Sequence, residues 1–134
     1  MQPPNRLVIC EDNEMICRLL EQVFDQDGRT VVVTSTTAAC REACRTGSTD
    51  VLVTDLMLKG ENALGLIRKL RAEQPEIRII ALTGGGDSWV EAAIAHGAHY
   101  VLEKPTDMET LLQAVDCCYQ KIRIAQVVAE AGMW

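Results

Sequence analysis

Short apolar runs alternate along this chain with stretches whose apolar residues recur every three or four positions, and that alternation leaves few folds open. Residues 7–10 (Leu-Val-Ile-Cys) read as a first strand. Ile16, Leu19, Leu20, Val23 and Phe24 then recur at helical spacing, and Asp27-Gly28 marks a turn. A β-branched run at 31–33 is a second strand, 36–45 an Ala-rich helix closed by Gly47, and 51–54 a third strand. Ala63, Leu66, Ile67 and Leu70 stripe the next helix, which ends before Pro75, and 77–82 is a fourth strand. Ser88 is placed to cap a helix running to His96, with Gly97 just past its end. Residues 100–103 make a fifth strand, and Met108, Leu111, Leu112, Val115, Tyr119 and Ile122 stripe a last helix.

Five strand–helix units in succession imply an α/β fold. The central strand runs are apolar at every position rather than at alternate ones, as in a parallel sheet covered by helices on both faces. A chain of 134 residues, 48% of them hydrophobic, suffices for one such domain and is short for two. We expect a single domain over 1–134 with its core at about 6–121. The tail, 122–134, carries Val127, Val128 and Trp134 without an evident partner, and is read as a helix extension or a bare chain end.

Thirteen basic residues face nineteen acidic ones, for a formal charge of −6. A duplex-binding surface needs clustered Lys and Arg to displace counterions, so no direct nucleic-acid partner is expected. No segment approaches the roughly 18 consecutive apolar residues of a membrane span. Strand-like sequence starts straight after Asn5, so no signal peptide is expected and the protein is read as cytoplasmic. Cys10, Cys17, Cys40, Cys44, Cys117 and Cys118 include no CxxC pair and no His at zinc-ligand spacing, so we read them as reduced, mostly buried thiols.

In sheets of this kind ligands bind beyond the carboxyl ends of the strands. Glu11 and Asp12 follow the first strand, Asp55 ends the third, Thr83 ends the fourth before Gly84-Gly85-Gly86, and Lys104 ends the fifth before Pro105. Two carboxylates about 5 Å apart repel by roughly 3 kcal/mol at an effective dielectric near 20. Three together call for a counter-charge, and a hard divalent cation such as Mg²⁺ suits an oxygen-only set. Asp55 is then a candidate covalent nucleophile, since carboxylates form acyl phosphates. Lys104 and the cation can neutralise transferred oxygens, the Thr83 hydroxyl can hydrogen-bond one, and the glycines allow close approach. Any one of these residues alone is more simply a helix cap, a turn residue or a surface charge. Five of them at the ends of four strands point to a site.

These stretches, LVICEDNEM, VLVTDLML, IRIIALTGG and GAHYVLEKP, resemble the receiver domain of two-component response regulators over 6–121. The resemblance implies a flavodoxin-like, doubly wound five-stranded parallel sheet of order 2-1-3-4-5 with five helices in three layers. It implies a signalling phosphoacceptor that catalyses only its own phosphorylation and dephosphorylation. A histidine kinase or histidine phosphotransfer protein would donate a phosphoryl group to Asp55, and altered contacts with a downstream protein would carry the signal. Glu11, Asp12, Asp55 and the Met57 main-chain carbonyl would hold Mg²⁺, and Thr83 and Lys104 would contact the phosphoryl group. The Lys104–Pro105 bond would be cis. The protein would be a monomer or a phosphorylation-dependent dimer, without a membrane partner, and either stand-alone, a relay intermediate or a part of a hybrid kinase or larger regulator.

The chain departs from the family pattern in places. Glu11 replaces the commoner Asp, Lys59 stands where Pro is usual, and Ala63 where Gly is frequent. Val101 occupies the position, three before Lys104, of a Tyr or Phe that rotates with the hydroxyl. Tyr100 is offset by one residue and should face the other side of the sheet. Trp89 suits either exposure on the fourth helix or local packing, and His96 suits a helix carboxyl end. The remote alternative is a haloacid-dehalogenase-like phosphatase. That family places its nucleophile first, with a second acid two residues on, whereas here Met57 holds that place and the acidic pair comes first. A flavin-binding flavodoxin is disfavoured by acids in the first loop.

Overall fold

Every second residue of a strand faces the same way, so a run that is apolar throughout must be covered on both sides. The computed structural model describes residues 6–25 and 29–130; the turn expected at Asp27-Gly28 and the terminal Trp134 lie outside them. Among the described residues the order is β1 (Arg6–Cys10), α1 (Glu14–Phe24), β2 (Thr30–Thr34), α2 (Thr37–Arg45), β3 (Val51–Asp55), β4 (Met57–Leu58), β5 (Glu61–Asn62), α3 (Leu64–Glu73), β6 (Arg78–Thr83), α4 (Asp87–His96), β7 (Tyr100–Glu103) and α5 (Met108–Glu130). Five strands form a parallel sheet in the order β2-β1-β3-β6-β7. This is the flavodoxin-like order 2-1-3-4-5, with a small antiparallel hairpin, β4-β5, after the third strand.

Alternate strand residues feed two separate cores. Val8, Cys10, Leu52, Ile79 and Ala81 pack against α2, α3 and α4 through Cys40, Cys44, Leu66, Ile67, Leu70 and Ala93. Their neighbours Leu7, Ile9, Val51, Val53, Ile80 and Leu82 pack against α1 and α5 through Leu20, Phe24, Leu111, Val115, Cys118 and Tyr119. Fully burying one such aliphatic side chain contributes about 1.5–3 kcal/mol before entropy is subtracted. Val101 and half-buried Trp89 both pack against the first core, and Tyr100 against the second. The one-residue offset between them therefore does separate them by the thickness of the sheet. No described helix is long and apolar enough to cross a membrane.

Local signals place most helix starts. Asn13 accepts from the Ile16 N–H and Thr36 from the Ala39 N–H, each at 3.1 Å, and Asp107 accepts from the Thr110 N–H at 2.6 Å. α4 differs from expectation. Gly86, with φ 35°, holds its cap position, Asp87 is its first residue, and Ser88 does not cap it. The chain must turn sharply within three residues of Thr83, and the glycine that permits the turn starts the helix earlier. α1 also differs. Leu20 and Phe24 are buried, but Ile16 and Leu19, expected to share their face, are exposed. Four cysteines are buried, Cys17 is half-buried and Cys117 exposed, and all six are free thiols.

At the opposite end of the sheet from the acids, α3, α4 and β7 meet around His99. Its Nδ1 accepts from the Ile79 N–H at 3.0 Å, and its Nε2 lies 2.7 Å from the Arg71 guanidinium. Burial, with the charges of Arg71, Arg78 and Lys121, pushes the imidazole down to about 4. Gly97 ends α4 at φ 125°, and a Cβ there would lie 2.5 Å from Arg71 Cγ. Gly97→Ala is therefore expected to destabilise the fold by about 2 kcal/mol in urea unfolding, through strain and the clash. Gly65→Ala, in α3 with nothing within 4 Å, should instead stabilise by up to about 0.5 kcal/mol. Equal effects at the two sites would refute this account.

Candidate functional site

A polar residue at the end of a buried strand is delivered to the rim of the sheet by the strand's own hydrogen bonds. The Glu11 N–H donates to Thr34 O at 3.0 Å, carrying the ladder one residue past β1. The Leu56 N–H donates to Leu82 O at 2.9 Å and does the same beyond Asp55. The Lys104 N–H donates to Thr83 O at 2.7 Å, tying the ends of β6 and β7 together, and the Lys104–Pro105 bond is cis. β1 connects outward to β2 and the chain then returns to β3 beside it, so the crevice between β1 and β3 is where the strand order reverses.

Carboxylate oxygens of Glu11, Asp12 and Asp55 all lie within 4.8 Å of one another in that crevice. Glu11 and Asp55 are each only 3% exposed, and Asp12 is half-buried. Lys104 Nζ lies 2.7 Å from Asp55 Oδ1 and 3.7 Å from Glu11 Oε2. Its own burial draws the ammonium down, but the Asp55 hydrogen bond and the charges of Asp55, Glu11 and Asp12 outweigh that and hold it above its usual range. Burial pushes Glu11 up to about 7, aided by the adjacent Asp55 carboxylate and its charge, against the Asn13 N–H and Lys104. Glu11 Oε1 accepts from that Asn13 N–H at 3.1 Å, whereas Oε2 is buried without a hydrogen-bond donor. Asp12 Oδ2 accepts from the Lys59 N–H at 2.8 Å.

Thr83 follows Leu82, the register partner of Asp55, and is 1% exposed. Its Oγ1 accepts from the Gly85 N–H at 3.1 Å, which leaves the hydroxyl proton free to be donated. Met57 lies two residues beyond Asp55 with its side chain 53% exposed. Glu11, Asp12, Asp55 and Lys104 thus meet, with Thr83 on the adjoining strand end. Sequence reasoning missed the main-chain donors. Asn13 carried a cap signal, but nothing local marks Lys59 as reaching Asp12 across 47 positions. An oxygen-only set in which buried Glu11 Oε2 has no hydrogen-bond donor and Asp55 Oδ1 is met by the Lys104 ammonium fits a hard divalent cation rather than zinc or a soft metal.

A family model described as the response regulator receiver domain matches residues 7–116. The chain is 33% identical over 124 residues to the TorCAD operon transcriptional regulatory protein TorR of Escherichia coli K12, covering 92% of this chain and 54% of that protein. It thus spans about half the length of that relative. The signal receiver domain of a LuxO repressor protein from Vibrio parahaemolyticus superposes with a TM-score of 0.84 at 18% identity, over 95% of this chain and 98% of that one. A response regulator from Burkholderia pseudomallei, solved with a phosphorylated aspartic acid, a calcium ion and citrate, superposes at 0.77 with 23% identity, over 93% and 74%.

The raised Glu11 pKa has a consequence for metal-free protein. The ordinary carboxyl releases its proton near 4.5 and the folded one near 7, so between these values the folded state holds more protons. Stability from this group is full below 4.5 and is lost as pH rises through 7. His99, depressed to about 4 from 6.5, works oppositely, adding stability as pH rises over that range. The difference between parent and Glu11→Gln isolates the first effect. Glu11→Gln should gain a few degrees in melting temperature relative to parent between about pH 5 and about pH 8 without metal. A constant difference would contradict the assignment.

Proposed function

The chain belongs to the response regulator receiver domain family, and on that premise we propose that Asp55 accepts a phosphoryl group from a phosphohistidine on a partner protein. The observation that carries this reading is the buried Asp55 carboxylate paired with Lys104 at 2.7 Å, inside a cluster of acids that lacks enough positive charge. An Asp55 oxygen attacks phosphorus, the phosphorus–nitrogen bond breaks, and the imidazole leaves with the electron pair and takes up a proton. The product is an acyl phosphate. Glu11, Asp12 and Asp55, with the Met57 carbonyl, would hold Mg²⁺, which when bound supplies charge neutralisation for phosphoryl oxygens. Lys104 moves from Asp55 to a phosphoryl oxygen, and the Thr83 hydroxyl donates to another. Positioning and electrostatics supply the acceleration.

The surface around the crevice favours a protein donor. Met15, Ile16 and Leu19 on α1 are 80%, 37% and 50% exposed, next to the loop bearing Glu11 and Asp12. Exposed apolar side chains on the helix that follows an acidic loop suit docking of a partner rather than capture of a small ester alone. The Burkholderia pseudomallei regulator was solved with a phosphorylated aspartic acid and a calcium ion, in keeping with the same chemistry here. As the output we propose altered protein–protein contact by one receiver domain acting on no substrate but itself.

With Mg²⁺ and acetyl phosphate, the protein is expected to gain one acid-stable, base-labile phosphoryl group by intact mass. Asp55→Asn should gain none, and labelling that survives in it would sink the assignment. Lys104→Met should slow phosphorylation by about tenfold or more. The same variant should bind Mg²⁺ at least as tightly as the parent, because the competing ammonium is gone.

A further inference from the structure

The hairpin after Asp55 is tied down at both ends by residues far away in the chain. Lys59 and Gly60 form a two-residue turn between the paired Leu58 and Glu61. Gly60 has φ 74°, as the third residue of a type II turn requires. The Lys59 N–H, at the second position, points away from the turn and donates to Asp12 Oδ2 at 2.8 Å. On the far side, Glu61 takes two donors from the start of α2: the Thr37 N–H at 2.8 Å on Oε1 and the Thr37 hydroxyl at 3.1 Å on Oε2. The carboxylate also lies at the positive end of that helix. Leu58 is buried and anchors the middle.

We propose that Lys59 is a positioning residue of the metal site, acting through its main-chain N–H on Asp12, with Glu61 clamping the turn that carries it. The inference rests on the reading of Glu11, Asp12 and Asp55 as cation ligands. The donor engages one Asp12 oxygen and so fixes the direction of the other. Asp12 is the least buried of the three acids and has the most freedom to lose. A proline at position 59 has no N–H and cannot supply this bond, although it is favoured at the second position of a type II turn. The contact therefore depends on a non-proline residue at 59 and is indifferent to its side chain.

Substitution at 59 separates main chain from side chain. By calorimetric titration with Mg²⁺, Lys59→Ala should retain the parent's Kd, while Lys59→Pro should raise it by about tenfold. Glu61→Ala should weaken Mg²⁺ binding in the same direction. Glu61→Gln should restore it, because the amide can accept from the Thr37 N–H and donate to the hydroxyl. In metal-free protein, hydrogen exchange at the Lys59 amide should be slow in the parent and faster in Glu61→Ala. Equal Kd values for Lys59→Pro and Lys59→Ala, or an unprotected Lys59 amide in the parent, would overturn the inference while leaving the site reading intact. A parent that binds no Mg²⁺ overturns the site reading, and this inference with it.

Discussion

Three carboxylates within 4.8 Å cannot all remain ionised in a buried crevice unless positive charge lies among them. Lys104 is the positive charge the chain itself provides, 2.7 Å from Asp55. It is insufficient for three acids, as the raised Glu11 and its undonated Oε2 show. The deficit is an arrangement maintained against electrostatic cost, and the rest of the structure serves to hold it. Without the sheet, the acids would separate and hydrate.

The sheet holds them because its strands are buried on both faces. All of β3 is buried, and Asp55 is its last residue. Two independent cores grip alternate residues of the same strands, so a strand cannot slide by one position without exchanging one core's contents for the other's. Register is thereby fixed, and with it the heights at which Glu11, Asp55, Thr83 and Lys104 emerge. The bond from the Lys104 N–H to Thr83 O then ties together, at adjoining strand ends, the two residues that carry the hydroxyl and the ammonium.

Much of this was legible in the sequence, and the limits were physical. Apolar runs with no alternation identified parallel strands, and polar residues directly after them identified the rim. The period of two also placed Tyr100 and Val101 on opposite faces. Periodicity did not say how wide a helix face would be covered, so Ile16 and Leu19 were assigned to a face that leaves them exposed. The β4-β5 hairpin has two residues in each strand, too few for a pattern to emerge. Ser88 looked like a cap because cap propensity is local, whereas the turn after Thr83 set the start of α4. The bonds from Lys59 to Asp12 and from Thr37 to Glu61 join distant positions, and no local rule reaches them.

The acids, the hydroxyl and the ammonium are carried by the sheet or by the residues directly following its strands, with α1 and α5 packed on one face and α2, α3 and α4 on the other. Residues on the outer surfaces of α1, α4 and α5 can therefore be exchanged without moving Asp55, Thr83 or Lys104. Change on the helix surfaces is thereby uncoupled from the placing of these groups. A lineage built on such a scaffold can duplicate it and diverge in whom each copy answers to, with the chemistry inherited unchanged.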